Sequence, residues 1–410
     1  MTNDRPLDVL YVLRSYPERS QTFVIDEISM MRERGWNVAV VHLEEPKDRY
    51  TDHPVEGRLI PFPQPGAPTA TTSVRRLRKL GRLARLWARR FMRRPANTLR
   101  ATLLAAASAR RYGIAHVLHA LAIADVVPRD VRRVHAHFAW ESASIALLVA
   151  ELLGAPFSVT VHGNDLYDQR FDLERKLRRA QPVITTCDYF RRELAAIEPS
   201  VSVAVVPLPV DPQRFERSSA WRHDPFTIVS VGRLVEKKGY ADLVSAMELV
   251  HREVPGARCI IGGDGPLREE LEAQVVALGL DDVVAFRGSL SHESVRELME
   301  TGTVFAAPFV VARNGDRDAM PVVLKEAMSL RMPIVSTMEV GVPELVDDTM
   351  GRLVPPHEPA ALADAIIELA RMPAEKLRAM GDAGRDRVLS GYTPAVTLPR
   401  IERLFGLVAD

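Results

Sequence analysis

RNGDRDAMPVVLKEAMSLRMPIVST, Arg313–Thr337, is the stretch that decides how this chain is read. It runs an acidic, turn-rich loop directly into a helix pattern. Pro321 suits a first helical position, because its fixed φ fits and its missing N–H is not needed there. Val322, Leu324, Ala327, Met328 and Leu330 follow at helical apolar spacing, and Pro333 marks the stop. Ile334 to Thr337 then reads as a short buried strand. The opening of such a helix offers unpaired backbone N–H groups and the positive end of a dipole, which suits a phosphate. Asp318 stands before the helix and Glu326 within it. An anion site edged by two carboxylate acceptors suits a ligand that is both phosphorylated and rich in hydroxyls.

Working outward, the same half of the chain repeats a strand–loop–helix pattern. Phe226 to Val231 is a strand that ends in GRLVEKKGY. Arg233 and Lys238 lie five apart on that loop. A forked guanidinium and a point ammonium together suit a diphosphate. Ala257 to Ile261 is a strand followed by GGDGPLREEL, where Gly263 allows close approach of a phosphate. This turn has neither the third glycine of a dinucleotide fingerprint nor the Gly-Lys-Ser/Thr of a P-loop.

The first half is built the same way. Leu7 to Leu13 and Asn37 to Leu43 are strands either side of the loop RSYPERSQTF and a helix. That order announces a parallel α/β sheet, whose ligands bind beyond the carboxyl ends of strands. The loop therefore offers Tyr16, Glu18, Ser20 and Gln21 as a site wall. VRRVHAHFAW is a strand leaving His135 and His137 at its end. Its His-x-His spacing has no third ligand or HExxH-type partner nearby, so no metal is expected. The strand Phe157 to Val161 ends in His162-Gly163-Asn164-Asp165. A histidine at a strand end beside an acid is placed for a polar contact to substrate.

A chain of 410 residues is long for one core, so two domains are the prior. The boundaries read as 1–207, a linker 208–224 rich in proline, 225–393, and a last helix 394–410 packing back on the first domain. Formal net charge is +1, which does not advertise nucleic-acid binding. Charge is unevenly spread, however, with no Asp or Glu between Gly57 and Ala124. SVRRLRKLGRLARLWARRFMRRP places Leu77, Leu80, Leu83 and Phe91 at helical spacing among arginines. This insert, about 74–95, is a basic amphipathic helix. Residues 75–94 fit either an anionic membrane surface or a solvated face on its own domain. Cys187 and Cys259 lie far apart with no metal spacing and read as buried thiols. MTNDRPLDVLYVL lacks a signal-peptide core, and no run reaches the roughly 20 apolar residues of a membrane span. The reading is a cytoplasmic protein, peripheral on the inner face of the membrane.

With Arg233, Lys238, Asp318 and Glu326 in place, the chain resembles retaining glycosyltransferase family 4. VGRLVEKKG, GGDGPL, RDAMPVVLKEAMSLRMPIVST and GVPELV occur in the order that family uses. SYPERSQTF, VHAHF and TVHGND resemble its exopolysaccharide-building branch. The resemblance covers nearly the whole chain. It implies the GT-B fold, two Rossmann-like α/β/α domains with parallel sheets facing an interdomain cleft. It also implies roles. Arg233 and Lys238 would hold the donor diphosphate, Glu326 the ribose hydroxyls and Asp318 the sugar hydroxyls. Backbone amides of Ala319, Met320, Pro321, Val322 and Val323 (those that carry an N–H) would meet sugar and phosphate oxygens. His162 would sit by the reacting face, with Gly263 on the donor side. Tyr16, Glu18, Ser20, Gln21, His137 and Asp165 would line the acceptor side. Asp318 departs from the family's usual Glu by one methylene.

The expected activity is retaining transfer of a hexose from a nucleotide diphosphate sugar, UDP-linked first, to a glycan, lipid-linked or small-molecule hydroxyl. Neither metal nor cofactor is expected, and nucleic acid is not a partner. The alternatives are a GDP-mannose-dependent mannosyltransferase, a sugar-nucleotide epimerase or a phosphorylase of the same fold, a non-catalytic nucleotide-sugar-binding protein, and a nucleotide-dependent oxidoreductase. The missing dinucleotide fingerprint argues against the last.

Overall fold

Apolar runs of the first half pair side by side into one parallel sheet. They are β1 (Leu7–Ser15), β2 (Val38–Glu44), β3 (Arg58–Leu59), β4 (Val131–His137), β5 (Phe157–Val161), β6 (Val183–Thr185) and β7 (Val203–Val205). Their order across the sheet is β3-β2-β1-β4-β5-β6-β7. β1 is buried along Leu7–Leu13 without alternation, as helices on both faces of a parallel sheet require. Its Val9 registers with Val38 on one side and Arg133 on the other.

A second parallel sheet holds β8 (Thr227–Val231), β9 (Arg258–Gly262), β10 (Val284–Phe286), β11 (Val304–Ala307), β12 (Ile334–Thr337) and β13 (Gly351–Val354). The order is β10-β9-β8-β11-β12-β13. This computed structural model describes residues 5–18, 21–51, 58–61, 72–107, 114–128, 130–167, 172–219, 221 and 223–408. The chain divides into two units, one of residues 1–185, 191–206 and 398–410, the other of residues 186–190 and 207–397. Each is a doubly wound α/β unit of the Rossmann type.

Both sheets reverse their winding direction once, between β1 and β4 in the first unit and between β8 and β11 in the second. Ligands of open parallel sheets bind outside the strand carboxyl ends at such switch points. The loops after β8 and β11 carry Arg233, Lys238 and Asp318, so the topology alone brings those residues together.

The chain returns to the first unit from Leu398 onward. Arg34 donates from Nε and Nη2 to the two oxygens of Glu402, at 2.5 and 2.8 Å. Trp36 Nε1 donates to the same carboxylate at 2.7 Å. Arg133 Nε donates to the Phe405 carbonyl at 2.9 Å, and its guanidinium lies 5.5 Å from the centre of the Phe405 ring.

One local expectation is corrected. Pro321 has the expected φ of −60°, but its ψ of 127° is extended. It therefore caps a helix that runs Val322–Ser329 rather than opening it. The basic segment is a helix over Thr72–Arg93, followed directly by Pro95–Ala107. Its last arginines hold it to its own unit. Arg90 is buried and donates to the carbonyls of Ala124 and Leu152, while Arg89 and Arg93 pair with Asp125. Among the described residues no helix is long and apolar enough to cross a membrane. Cys187 and Cys259 are buried free thiols, each pushed up to about 12 by burial.

Candidate functional site

Glycines build the floor of the second unit's switch point. Gly232 N–H donates to Gly262 O at 2.9 Å, and Gly263 N–H to Gly288 O at 2.8 Å. Gly263 has φ +133°, and a Cβ there would lie 2.0 Å from Gly232 O. Its role is close packing of the two loops. Gly239 ends the turn Glu236–Lys238 with φ +67°, again where a side chain would strike backbone, the Pro308 carbonyl at 1.8 Å. The turn therefore sits hard against the loop that follows β11.

That approach assembles four charges. Lys238 Nζ donates to Asp318 Oδ2 at 2.6 Å and lies 5.0 Å from the centre of the Phe309 ring. Lys237 Nζ reaches Asp318 Oδ1 at 3.2 Å and Asp316 Oδ2 at 3.1 Å. Burial alone would push the Asp318 carboxyl up, but Lys238 and Lys237 outweigh it and hold the group down at about 2. Lys237 is raised: burial lowers it, and Asp318 with Asp316 more than offsets that. Arg233 is exposed at the mouth of the loop, and Glu326 is half-buried on the helix. Among the described residues the N–H groups of Val322 and Val323 have no hydrogen-bond partner, as the first N–H groups of a helix ordinarily lack one. Ala319 is held by Gly341 N–H at 2.9 Å, and Met320 is buried. Two ammonium groups thus share one loop cluster with Asp316 and Asp318, while Arg233 stands on the same loop and Glu326 on the helix that follows. Such a cluster attracts anions and offers acceptors to hydroxyls.

In the first unit the histidines are stacked inward. His137 Nε2 lies 3.1 Å from Glu27 Oε1, and its Nδ1 lies 2.9 Å from His162 Nε2. Tyr11 donates to the same Glu27 oxygen at 2.8 Å. His135 bonds Ser158 at 2.8 Å and Thr160 at 3.2 Å. Burial, then neighbouring histidines, holds His135 and His162 well below the ordinary imidazole range. Phe138 adopts φ +64°, a left-handed conformation that costs about 1–3 kcal/mol for such a residue. Its ring stacks on Trp140 and lies 4.6 Å from that of His162. Glu27, His135 and His137 are close enough to hold a metal ion. Each of them already has hydrogen-bond partners within this network.

The expected acceptor wall is corrected in part. Tyr16 is a core residue, 1% exposed, and burial pushes its phenol up to about 12. Glu18 accepts from the N–H groups of Lys47 and Asp48, at 3.2 and 3.1 Å, which staples the loop. Asp165 is fully buried and accepts from Ala139, His162 and Gly163 N–H. It positions the turn that carries His162. Gln21 is half-buried at the cap of the helix Thr22–Glu33, His137 is 1% exposed, and Ser20 lies outside the described residues.

Sequence reasoning missed Glu27, Lys237 and Asp316. Glu27 carried a readable signal. It shares the buried face of its helix with Val24, Ile28 and Met31, a place where an acid needs a partner. Lys237 and Asp316 are paired across 79 residues, which no local pattern reveals.

Two doubly wound units, one with a cationic loop cluster edged by carboxylates, are the architecture of the GT-B glycosyltransferases. The glycosyl transferases group 1 family model matches residues 211–387, and that of Glycosyltransferase Family 4 matches residues 124–214. The amylovoran biosynthesis glycosyltransferase AmsK of Erwinia amylovora is 25% identical over 90% of this chain and 92% of its own. A GDP-mannose-dependent alpha-(1-6)-phosphatidylinositol monomannoside mannosyltransferase of Mycobacterium tuberculosis is 30% identical over 61% of this chain and 70% of its own. Among solved structures, Anabaena HepE in complex with UDP superposes with a TM-score of 0.68 at 16% identity, covering 98% of this chain and all of that one. The chain belongs to glycosyltransferase family 4, with relatives in exopolysaccharide biosynthesis.

Proposed function

We propose that this glycosyltransferase moves a hexose from a nucleotide diphosphate sugar to a glycan or lipid-linked hydroxyl, with retention at the anomeric carbon and without a metal. The observation that carries the reading is the Lys238–Asp318 pair at the second unit's switch point. There the ammonium that would meet phosphate stands beside the carboxylate that would meet sugar hydroxyls. Arg233 and Lys238 bind the diphosphate, the Val322 and Val323 amides assist, Glu326 accepts from the ribose, and Asp318 accepts from the sugar. His162 contacts a substrate hydroxyl. The acceptor oxygen forms its bond to the anomeric carbon on the face from which the diphosphate leaves. The carbon–oxygen bond to phosphate breaks, and the acceptor proton passes to a departing phosphate oxygen. The cationic groups stabilise the charge that develops on that leaving group.

UDP-hexose is the first donor to try. GDP-mannose is the second, because a 30% identical relative is named as GDP-mannose-dependent. Thermal shift with UDP-glucose, UDP-galactose and GDP-mannose tests the reading, since a ligand of the folded state raises its stability. Transfer should survive a chelator. Loss of transfer in chelator with recovery on added manganese would overturn the metal-free part. Lys238→Ala that still turns over at the wild-type rate would remove this site.

The basic helix adds a partner, an anionic membrane surface. Arg82 and Arg85 are exposed on it, and Met92, Leu99 and Leu103 expose apolar side chains on it and the helix that follows. Charge with exposed apolar surface is what such membranes bind.

A further inference from the structure

A chain of hydrogen bonds runs through the first unit from Tyr11 to His162. Tyr11 donates to Glu27 Oε1 at 2.8 Å, Glu27 meets His137 Nε2 at 3.1 Å, and His137 Nδ1 meets His162 Nε2 at 2.9 Å. The rings are aligned for it. His137 stacks on Tyr11 with 9° between planes and on His162 with 25°. Glu27 and His137 are almost wholly buried, while His162 keeps 9% of its surface exposed.

Resting on the reading of His162 as a substrate contact, we propose that Glu27, acting through His137, fixes His162 with its proton on Nε2, so that Nδ1 faces the substrate as an acceptor for a hydroxyl. Glu27 Oε1 already accepts from Tyr11, and as an acceptor it is matched by a hydrogen on His137 Nε2. Around His137 stand Tyr11, His135, His162, Phe23 and Glu27; among the described residues Glu27 is the one carboxylate in that set. In the proposed arrangement the Nε2 hydrogen is the one ring hydrogen of His137, and Nδ1 carries the lone pair. That lone pair must receive a proton from His162 Nε2, which leaves His162 Nδ1 bare. Among the described residues Nδ1 of His162 has no hydrogen-bond partner. Phe23 and Phe138 flank the ring, 4.8 and 4.6 Å away between centres, and oppose a flip that would turn Nε2 away from His137 and put a carbon in its place. Glu27 and His137 are positioning residues in this scheme, in the way that outer partners fix the tautomer of a working histidine.

The test is ¹⁵N NMR of histidine-labelled protein between pH 6.5 and 8.5. His162 should show a protonated Nε2 and an unprotonated Nδ1. A proton on Nδ1, or on both nitrogens, overturns the proposal. His137→Phe keeps a ring but removes both nitrogens. It should release His162 into a mixture of tautomers and lower kcat about 10- to 100-fold, with donor KM changed much less. Wild-type kcat in a folded His137→Phe protein overturns the relay. His162→Ala separates the two levels: full transferase activity there would remove the contact itself, whereas inactivity beside an active His137→Phe would remove only the relay. If His137→Phe does not fold, the wild-type spectrum alone decides.

Discussion

Lys238 Nζ lies 2.6 Å from Asp318 Oδ2, so the two side chains proposed to grip different parts of the donor also contact each other. A bound diphosphate would compete with that carboxylate for the Lys238 ammonium. Asp318→Asn removes that competitor and leaves the ammonium in place. The free nucleoside diphosphates should then bind about threefold tighter or more, while sugar transfer falls about tenfold or more, as charge pairing and hydroxyl contacts are separated. Calorimetry with UDP and GDP, beside a transfer assay, checks both halves. Weaker UDP and GDP binding in the variant would show that Asp318 assists the phosphate rather than competing with it.

Gly239 and Gly279 have the same left-handed φ, +67° and +65°, in different surroundings. A methyl group at Gly239 would overlap the Pro308 carbonyl, while at Gly279 it meets open space. Gly279→Ala should cost about 1 kcal/mol, the ordinary penalty for alanine at positive φ. Gly239→Ala should cost about 3 kcal/mol or more and should also impair transfer, because Lys238 is its neighbour. Urea melts of both variants make the comparison. Equal losses would mean that the two loops can part without strain.

Lys325 is fully buried beside the proposed ribose-binding Glu326, its ammonium donating to the Leu208 carbonyl at 2.5 Å. Burial brings it down to about 7 from an ordinary 10.5, against the opposing pull of Glu326. Between those values the unfolded chain holds more protons than the folded one. Stability should therefore rise with pH in that window, by up to about 1.4 kcal/mol per unit. Lys325→Met should flatten that slope, most between pH 7 and 8, because Lys176, brought down to about 8 by burial, adds the same sign above that. Urea melts at pH 7, 8 and 9 measure it, and parallel slopes in both proteins would place the titration elsewhere.

Arginines of the basic helix should divide into two kinds. Arg82→Ala with Arg85→Ala should leave melting unchanged within about 0.5 kcal/mol and weaken binding to phosphatidylglycerol-containing vesicles, by roughly 1 kcal/mol per charge at low salt. Arg90→Ala should instead destabilise the unit, since it orphans two buried carbonyls. Vesicle flotation and thermal melting separate the outcomes. Unchanged flotation in the double variant would leave this helix as a packing element of its unit.

The fold was legible because parallel strands are buried on both faces. Leu7–Leu13, Phe157–Val161 and Ile334–Thr337 are buried at every position for that reason, and their residues are mostly apolar. Arg233, Lys238 and Asp318 were legible because strand ends and one helix opening mark where such sheets bind. What stayed hidden depends on partners far apart in sequence. Nothing near His137 announces Glu27, 110 residues away, and nothing near Asp318 announces that a second lysine shares it. Tyr16 and Glu18 misled because a polar residue in a loop is read as exposed, while here both fold inward and close the loop on itself.

Glu402 and Phe405 finish the first unit, yet the ribosome adds them only after every residue of the second. During synthesis Arg34, Trp36 and Arg133 therefore wait without their anchors, which follow them by 368, 366 and 272 residues, while the second unit emerges and folds. The half of the enzyme made first is the half completed last. No nascent chain that stops short of Leu398 holds a finished first unit, so the fold itself delays the competent enzyme until both halves exist.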